Sequence, residues 1–215
     1  MITLYHCVDA RSFRPLWALE ELQLPYTLKI LPFPPRVLAK EYLQINPLGT
    51  VPAFFDGDTF MTESAAICEY LAARHGHDLL LQPADALYGR YLNFLHFGEA
   101  TLTFPQTLVL RYSKLEAPER RQPQVVEDYK RWFLARLKTM SALLASEAYL
   151  CGRFTVADIS VGFALLLANQ LDLAQHFTGE VRAYWERLQV RDGFRRAKQA
   201  QATAAAEQGV SAVAF

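Results

Sequence analysis

Two short features of this 215-residue chain carry residues of chemical use: Val51-Pro52, and Glu63-Ser64 before the apolar run AAICEYLA. A proline in a strand removes a ladder donor, so an edge position or special bond geometry is expected at Pro52. A cis Val51–Pro52 bond would turn the chain sharply. It would leave the N–H and C=O of Val51 facing outward, able to pair with an extended peptide by strand addition. Glu63 and Ser64 stand where a helix should begin, and helix N-termini present N–H groups that favour anions. A carboxylate would be met by the Ser64 hydroxyl and the backbone, and an ammonium by Glu63. Together these groups suit the amino-acid end of a small peptide. The same residues also have an ordinary reading, with Thr62 or Ser64 as a cap and Glu63 serving the helix dipole.

The elements that must position these groups follow from pattern. Seven of the eleven prolines precede residue 53, and the first 75 residues alternate short runs with turns. ITLYH reads as a strand with Ile2 and Leu4 on one face, and FRPLWALEEL as a helix with Pro15 in its first turn. YTLKIL alternates again, and PPRVLAKEYLQI carries a short helix ended by NPLG. VPAFF, DGD and TF form a hairpin, and ESAAICEYLAARHG a helix stopped at Gly76. The order βαβαββα predicts a central sheet with helices on both faces, containing a parallel pair and an antiparallel hairpin. Long helical stretches then cover roughly residues 86–112, 123–146, 155–170 and 180–190, with no convincing strand. The expected division is therefore an α/β domain over residues 1–76, a linker over 77–85 and an all-α domain over 86–215. The alanine-rich tail beyond residue 198 is compatible with packing and with fraying.

Composition narrows the partners. Lysine plus arginine and aspartate plus glutamate both number 22, so no net charge draws the chain to nucleic acid or acidic lipid. The three cysteines, Cys7, Cys68 and Cys151, form no CxxC, and free thiols in a reducing, cytoplasmic setting are expected. The first residues lack the pattern of a secretory signal, and no apolar run approaches a membrane span. His75, His77 and His176 have no metal-ligand spacing, so no metal is expected.

Four stretches taken in order resemble the soluble glutathione transferases of bacterial type: LYHCVDARSFRPLWALEEL, NPLGTVPAF, ESAAICEYLA and FTVADISVGFAL. The resemblance covers about residues 1–195. It implies a thioredoxin-like first domain that binds glutathione as co-substrate, and a helical domain that receives a small hydrophobic electrophile. Val51 would then bond the cysteinyl backbone beside cis Pro52, and Glu63 with Ser64 would hold the γ-glutamyl group. The glycyl carboxylate would meet Lys40 or Arg36. The family commonly forms homodimers, and the Phe54-Phe55-Asp56 region is a candidate contact.

The implied chemistry needs a thiolate. A thiol with a pKa of about 8.5 is only slightly ionised at neutral pH, and lowering it by two units takes about 2.7 kcal/mol. Ser12, near the start of the first helix, is the leading candidate donor. As N-cap it would place Pro15 at N3, where no N–H is available to cap, leaving the hydroxyl to face a ligand; the alternative reading is a simple helix cap. Arg11 stands about where some relatives carry cysteine, and either stabilises the thiolate or projects into solvent. Cys7 reads as a loop or core thiol, with a mixed disulfide as its alternative. Tyr5 faces either the core or the site.

ALYGRYLNFLHFGEATLTFP is strongly aromatic. Leu87, Tyr91, Phe94 and Gly98 form one helical stripe, and Tyr88, Leu92 and Leu95 a second, both ordinary core patterns. The resemblance also makes Phe94, Phe97, Phe104 and Tyr112 candidates for the wall of the electrophile pocket, with His96, Glu99 and Arg111 as polar neighbours. Thr155 and Asp158 read as a capping box, with Phe154 and Ile159 as its staple. Competing functions are another glutathione-dependent reaction (isomerase, dehalogenase or disulfide reductase) and a non-catalytic glutathione-binding or interaction module.

Overall fold

The computed structural model describes residues 1–212. Packing divides the chain into two compact units, Met1–His77 joined by the chain from Val190 onward, and Asp78–Gln189. In the first unit, β1 (Ile2–His6) lies parallel to β2 (Tyr26–Ile30) and antiparallel to β3 (Ala53–Asp56), which pairs in turn with β4 (Thr59–Met61). The strand order β2-β1-β3-β4, with α1 (Phe13–Glu21), α2 (Pro35–Leu38) and α3 (Ser64–His75) between and after the strands, is the expected thioredoxin-like plan.

Alternation along β1 buries Ile2, Leu4 and His6 on one face and half-buries Thr3 and Tyr5 on the other. Tyr5 joins a core cluster with Cys7, Tyr42, Val51 and Ala53 on that second face, so it is a packing residue. Phe54 is wholly buried against Tyr70, which corrects its candidacy as a surface contact; Phe55 is partly buried against Phe60.

The tail is an ordered element of this unit. Helix α10 (Asp192–Glu207) packs on α1 and on β2. That cover explains why Phe13 through Leu19 are buried without a break, where one amphipathic face would bury about half. The approach is close, since a side chain at Gly193 would meet Glu21, whose carboxylate already accepts from Trp17 Nε1 at 2.9 Å and Arg191 Nε at 2.8 Å. Past the helix, Gln208 Oε1 accepts from Ile30 N at 2.9 Å and its Nε2 donates to Leu28 O at 3.0 Å, so one amide covers part of the free edge of β2. The expected boundary placed residues 190–215 with the helical domain; the packing groups residues 190–212 with the sheet.

The second unit is helical. Its first stretch runs as α4 (Tyr88–His96), a wider-wound segment Phe97–Thr103, α5 (Phe104–Leu110) and a second wide segment Arg111–Leu115. Pro105 cannot donate to the turn before it, and the winding is relaxed just ahead of it. The buried stripe is Tyr91, Leu95, Gly98 and Leu102: it takes Tyr91 and Gly98 from one expected stripe and Leu95 from the other, adds Leu102 from neither, and leaves Phe94 and Leu92 only half-buried. Helices α6 (Pro123–Lys138), α7 (Ser141–Leu144), α8 (Val156–Gln170) and α9 (Gly179–Gln189) complete the unit. Among the described residues no helix is long and apolar enough to cross a membrane.

The capping box of α8 forms as expected. Ala157 N donates to Thr155 Oγ1 at 3.3 Å, and Thr155 N to Asp158 Oδ2 at 2.9 Å. Asp158 also accepts from Leu150 N at 3.0 Å and Tyr184 Oη at 2.8 Å, so it joins three segments.

Candidate active site

The β1–α1 turn, the segment before β3 and the N-terminus of α3 bring Arg11, Val51 and Glu63 together. The Val51–Pro52 bond is cis, as expected, and so is Phe33–Pro34. Within the described residues the Val51 N–H makes no hydrogen bond, while its carbonyl accepts from Arg11 Nε at 3.4 Å. The other end of the Arg11 guanidinium lies 3.5 Å from Glu63 Oε2, with the two side chains 31% and 63% exposed. Such long, wet contacts contribute at most about 1 kcal/mol, so a ligand can displace them at little cost.

Glu63 is itself the N-cap of α3, with no side-chain capping bond, and Ser64 is the first helical residue. Ser64 is buried, and its Oγ accepts from Arg14 Nη1 at 3.1 Å. Arg14 is wholly buried. A guanidinium beneath the helix N-terminus adds positive charge to a place where backbone N–H groups already favour an anion. Arg14 was not among the expected site residues; its signal was a single charge within the buried run Phe13–Leu19.

Arg36 and Lys40 are exposed. Arg36 lies beside the Val51 segment, because a Cβ on Gly49 would sit 2.7 Å from Arg36 Cβ. Gly49 has φ +62°, a left-handed conformation that also favours glycine.

Ser12 occupies its expected place but does not face outward. It is the N-cap of α1 without a capping bond, and Pro15 is the third helical residue, as the spacing required. Its side chain is nevertheless fully buried, with Oγ 2.7 Å from His6 Nδ1 and 3.4 Å from the donor Cys7 N. The surrounding bonds settle the direction of that contact. Gln201 Nε2 must donate to Asp9 Oδ1, at 2.6 Å, because a carboxylate only accepts. Gln201 Oε1 therefore faces His6 Nε2 at 2.9 Å and Asp9 N at 3.1 Å, and His6 Nε2 carries the proton. Burial lowers the His6 pKa to about 4 despite the Gln201 bond, so the ring is neutral and Nδ1 is an acceptor. The Ser12 hydroxyl proton is thus given to His6. The expectation of a hydroxyl turned toward a ligand is corrected, because a buried imidazole claims it.

Cys7 is buried, its thiol pushed up to about 12 by burial, which removes it as a thiolate partner. In the helical unit, Phe94 and Phe97 pack edge to face with centroids 5.8 Å apart. Phe97 also borders an open groove of about 360 Å³ with Leu92, Asn93, His96, Ala100 and Thr101. Phe104 is exposed, and Tyr112 lies under the Arg111 guanidinium at 5.5 Å. Among the described residues neither ring pairs with Phe94 or Phe97, so the four expected wall residues do not form one aromatic cluster within this unit.

Comparison with known proteins agrees with this arrangement. The family profile described as glutathione S-transferase, N-terminal domain, matches residues 10–74. Glutathione S-transferase 3 of Schizosaccharomyces pombe is 30% identical over 190 residues, covering 81% of this chain and 77% of that protein. Glutathione S-transferase GstA of Escherichia coli O157:H7 is 30% identical over 159 residues, covering 69% and 72%. A glutathione transferase structure from Methylococcus capsulatus superposes with a TM-score of 0.80 at 26% identity, over 94% of this chain and all of that one. By its sheet order, its cis-proline segment and these likenesses, the chain belongs to the glutathione S-transferase family of enzymes.

Proposed function

We propose that this enzyme ionises the thiol of glutathione beside Arg11 and joins the sulfur to a small hydrophobic electrophile. The observation that carries this reading is the Arg11 guanidinium, held loosely between the Val51 carbonyl at 3.4 Å and Glu63 at 3.5 Å. Val51 would pair through its backbone with the cysteinyl unit beside Pro52. Glu63 would take the γ-glutamyl ammonium, and Ser64 with the α3 N-terminus its carboxylate. Arg36 or Lys40 would meet the glycyl carboxylate. With Glu63 turned to the ligand's ammonium, the guanidinium would direct its charge toward the sulfur anion. At about 4 Å and an effective dielectric near 20, a unit charge contributes about 4 kcal/mol. Screening by solvent and Glu63 can remove part of that and still leave the roughly 2.7 kcal/mol that two pKa units require.

The thiol proton passes to solvent. The sulfur lone pair then forms a C–S bond with the electrophilic carbon while the leaving group departs with its bonding pair. On this reading the paired rings of Phe94 and Phe97 would offer apolar surface to that electrophile. Thiol–disulfide exchange by the protein's own cysteine is disfavoured by the burial of Cys7. A homodimer in the reducing cytoplasm is the working form of this reading.

The test is titration of the thiolate absorbance of bound glutathione, paired with conjugation of an aromatic chloride. Arg11→Ala should raise the bound thiol's pKa by at least one unit, a cost of about 1.4 kcal/mol. It should also lower kcat correspondingly, with Arg11→Lys intermediate. An unchanged thiol pKa in Arg11→Ala would remove Arg11 from the chemistry.

A further inference from the structure

The turn carrying Arg11 is anchored at both ends by one residue of the last helix. Gln201 Oε1 accepts from Asp9 N at 3.1 Å and from His6 Nε2 at 2.9 Å, and His6 in turn holds Ser12 Oγ at 2.7 Å. A single buried amide therefore fixes the residue two before Arg11 directly and the residue after it through one imidazole. Its Nε2 binds the Asp9 carboxylate, which Lys198, one turn earlier on α10, also grips at 2.7 Å through both oxygens. Asp9 needs such restraint, because its φ of 52° is left-handed, a conformation that is uncommon for a residue with a side chain. Asp9 and Ser12 are buried and residue 10 is alanine, so Arg11 is the turn's one long side chain directed outward.

Gln201 thus does for the turn what a local capping residue cannot. Pro15 has no N–H, and Ser12 is spent on His6 rather than on capping α1. We infer that Gln201, with Lys198 as its support, is a positioning residue for Arg11: the C-terminal helix sets where the guanidinium stands relative to the Val51 carbonyl and Glu63. This rests on the reading of Arg11 as the thiolate-stabilising group. It adds that a residue some 190 positions away in sequence tunes that group without touching a ligand. Gln201 is itself only 2% exposed, which separates it from any direct contact with substrate.

The experiment is a double-mutant cycle on the full chain. Gln201→Met keeps the length and unbranched shape of the side chain while removing its hydrogen bonds. In an Arg11-containing enzyme it should reduce the thiolate fraction of bound glutathione at neutral pH by about fivefold. It should lower kcat to a similar degree, with the KM for glutathione changed less than threefold. Once Arg11 is alanine, adding Gln201→Met should have almost no further effect on the thiolate fraction. Equal effects of Gln201→Met with and without Arg11 would overturn the inference, since a residue supporting only stability has no reason to act through Arg11. If Arg11→Ala alone leaves the thiol pKa unchanged, the Arg11 reading fails first and separately. Should Gln201→Met fold poorly, Lys198→Met changes a partly exposed anchor of the same turn. It should give a smaller loss of thiolate that likewise vanishes in the Arg11→Ala background, and additivity there would refute the inference equally.

Discussion

Replacing Ser12 with alanine separates a catalytic hydroxyl from a structural one. The hydroxyl is wholly buried, donates to His6 Nδ1 at 2.7 Å and accepts a long bond from Cys7 N at 3.4 Å. Its removal leaves a buried imidazole acceptor without its donor, a loss of about 1–3 kcal/mol, with the 3.4 Å contact adding little. A central value of about 2 kcal/mol corresponds to a fall in Tm of roughly 4–8 °C for a chain of this size. Thiolate formation should meanwhile stay within about 0.3 pKa units of the wild type, because the lost proton faced His6 and not the ligand and because Gln201 and Lys198 still hold Asp9 at the other end of the Arg11 turn. Thermal unfolding and titration of the bound thiol on the same preparations measure both quantities. A thiol pKa raised by a full unit with Tm unchanged would refute this reasoning, and would show that the hydroxyl turns toward glutathione in the complex.

Other perturbations address the rest of the site and the fold. Glu63→Gln should raise the KM for glutathione about tenfold through loss of the charged partner for an ammonium, with less change in kcat; an unchanged KM would move that role elsewhere. Asp158→Ala removes the acceptor that joins Thr155, Leu150 and Tyr184, and should cost about 3 kcal/mol in urea unfolding. Titration follows burial in opposite directions at two places. His6, lowered from 6.5 to about 4, contributes stability that is complete above pH 6.5 and lost as the pH falls toward 4. Asp158, raised from 3.8 to about 6, contributes stability that is complete below pH 3.8 and lost as the pH rises through 6. Asp158→Asn should therefore remove a decline of up to about 1.4 kcal/mol per pH unit between pH 4 and 6, and a wild-type pH profile of urea midpoints would contradict that. A methyl at Gly98 would sit 2.5 Å from Ser160 Oγ and 2.6 Å from its carbonyl carbon, so Gly98→Ala should destabilise the helical unit by about 1–3 kcal/mol in the same assay.

Local signals were enough for much of this protein. Period-two and helical patterns placed the βαβαββα order. Pro52 marked its own special bond, and Thr155 with Asp158 announced a capping box, because each depends on neighbours within a few residues. That Val51 and Glu63 belong to one place was likewise legible through the resemblance of their motifs, and both lie at the Arg11 guanidinium. Spacing alone misjudged Ser12. It showed correctly that the hydroxyl has no backbone donor at Pro15 to cap, yet could not show that a buried histidine would take its proton.

The direction of that proton is a tertiary matter. His6 becomes a neutral acceptor only because it is buried and because Gln201 presents a carbonyl to its other nitrogen, and Gln201 is turned that way by Asp9. The packing of α10 on α1, the buried charge of Arg14 under Ser64 and the anchoring of the Arg11 turn have the same character. Hydrogen-bond direction and desolvation depend on which distant groups arrive around an atom. The chain's own pattern therefore determined the elements, the cis-proline segment and the start of α3, while only the folded arrangement decided which polar groups are buried in the scaffold and which remain at the surface.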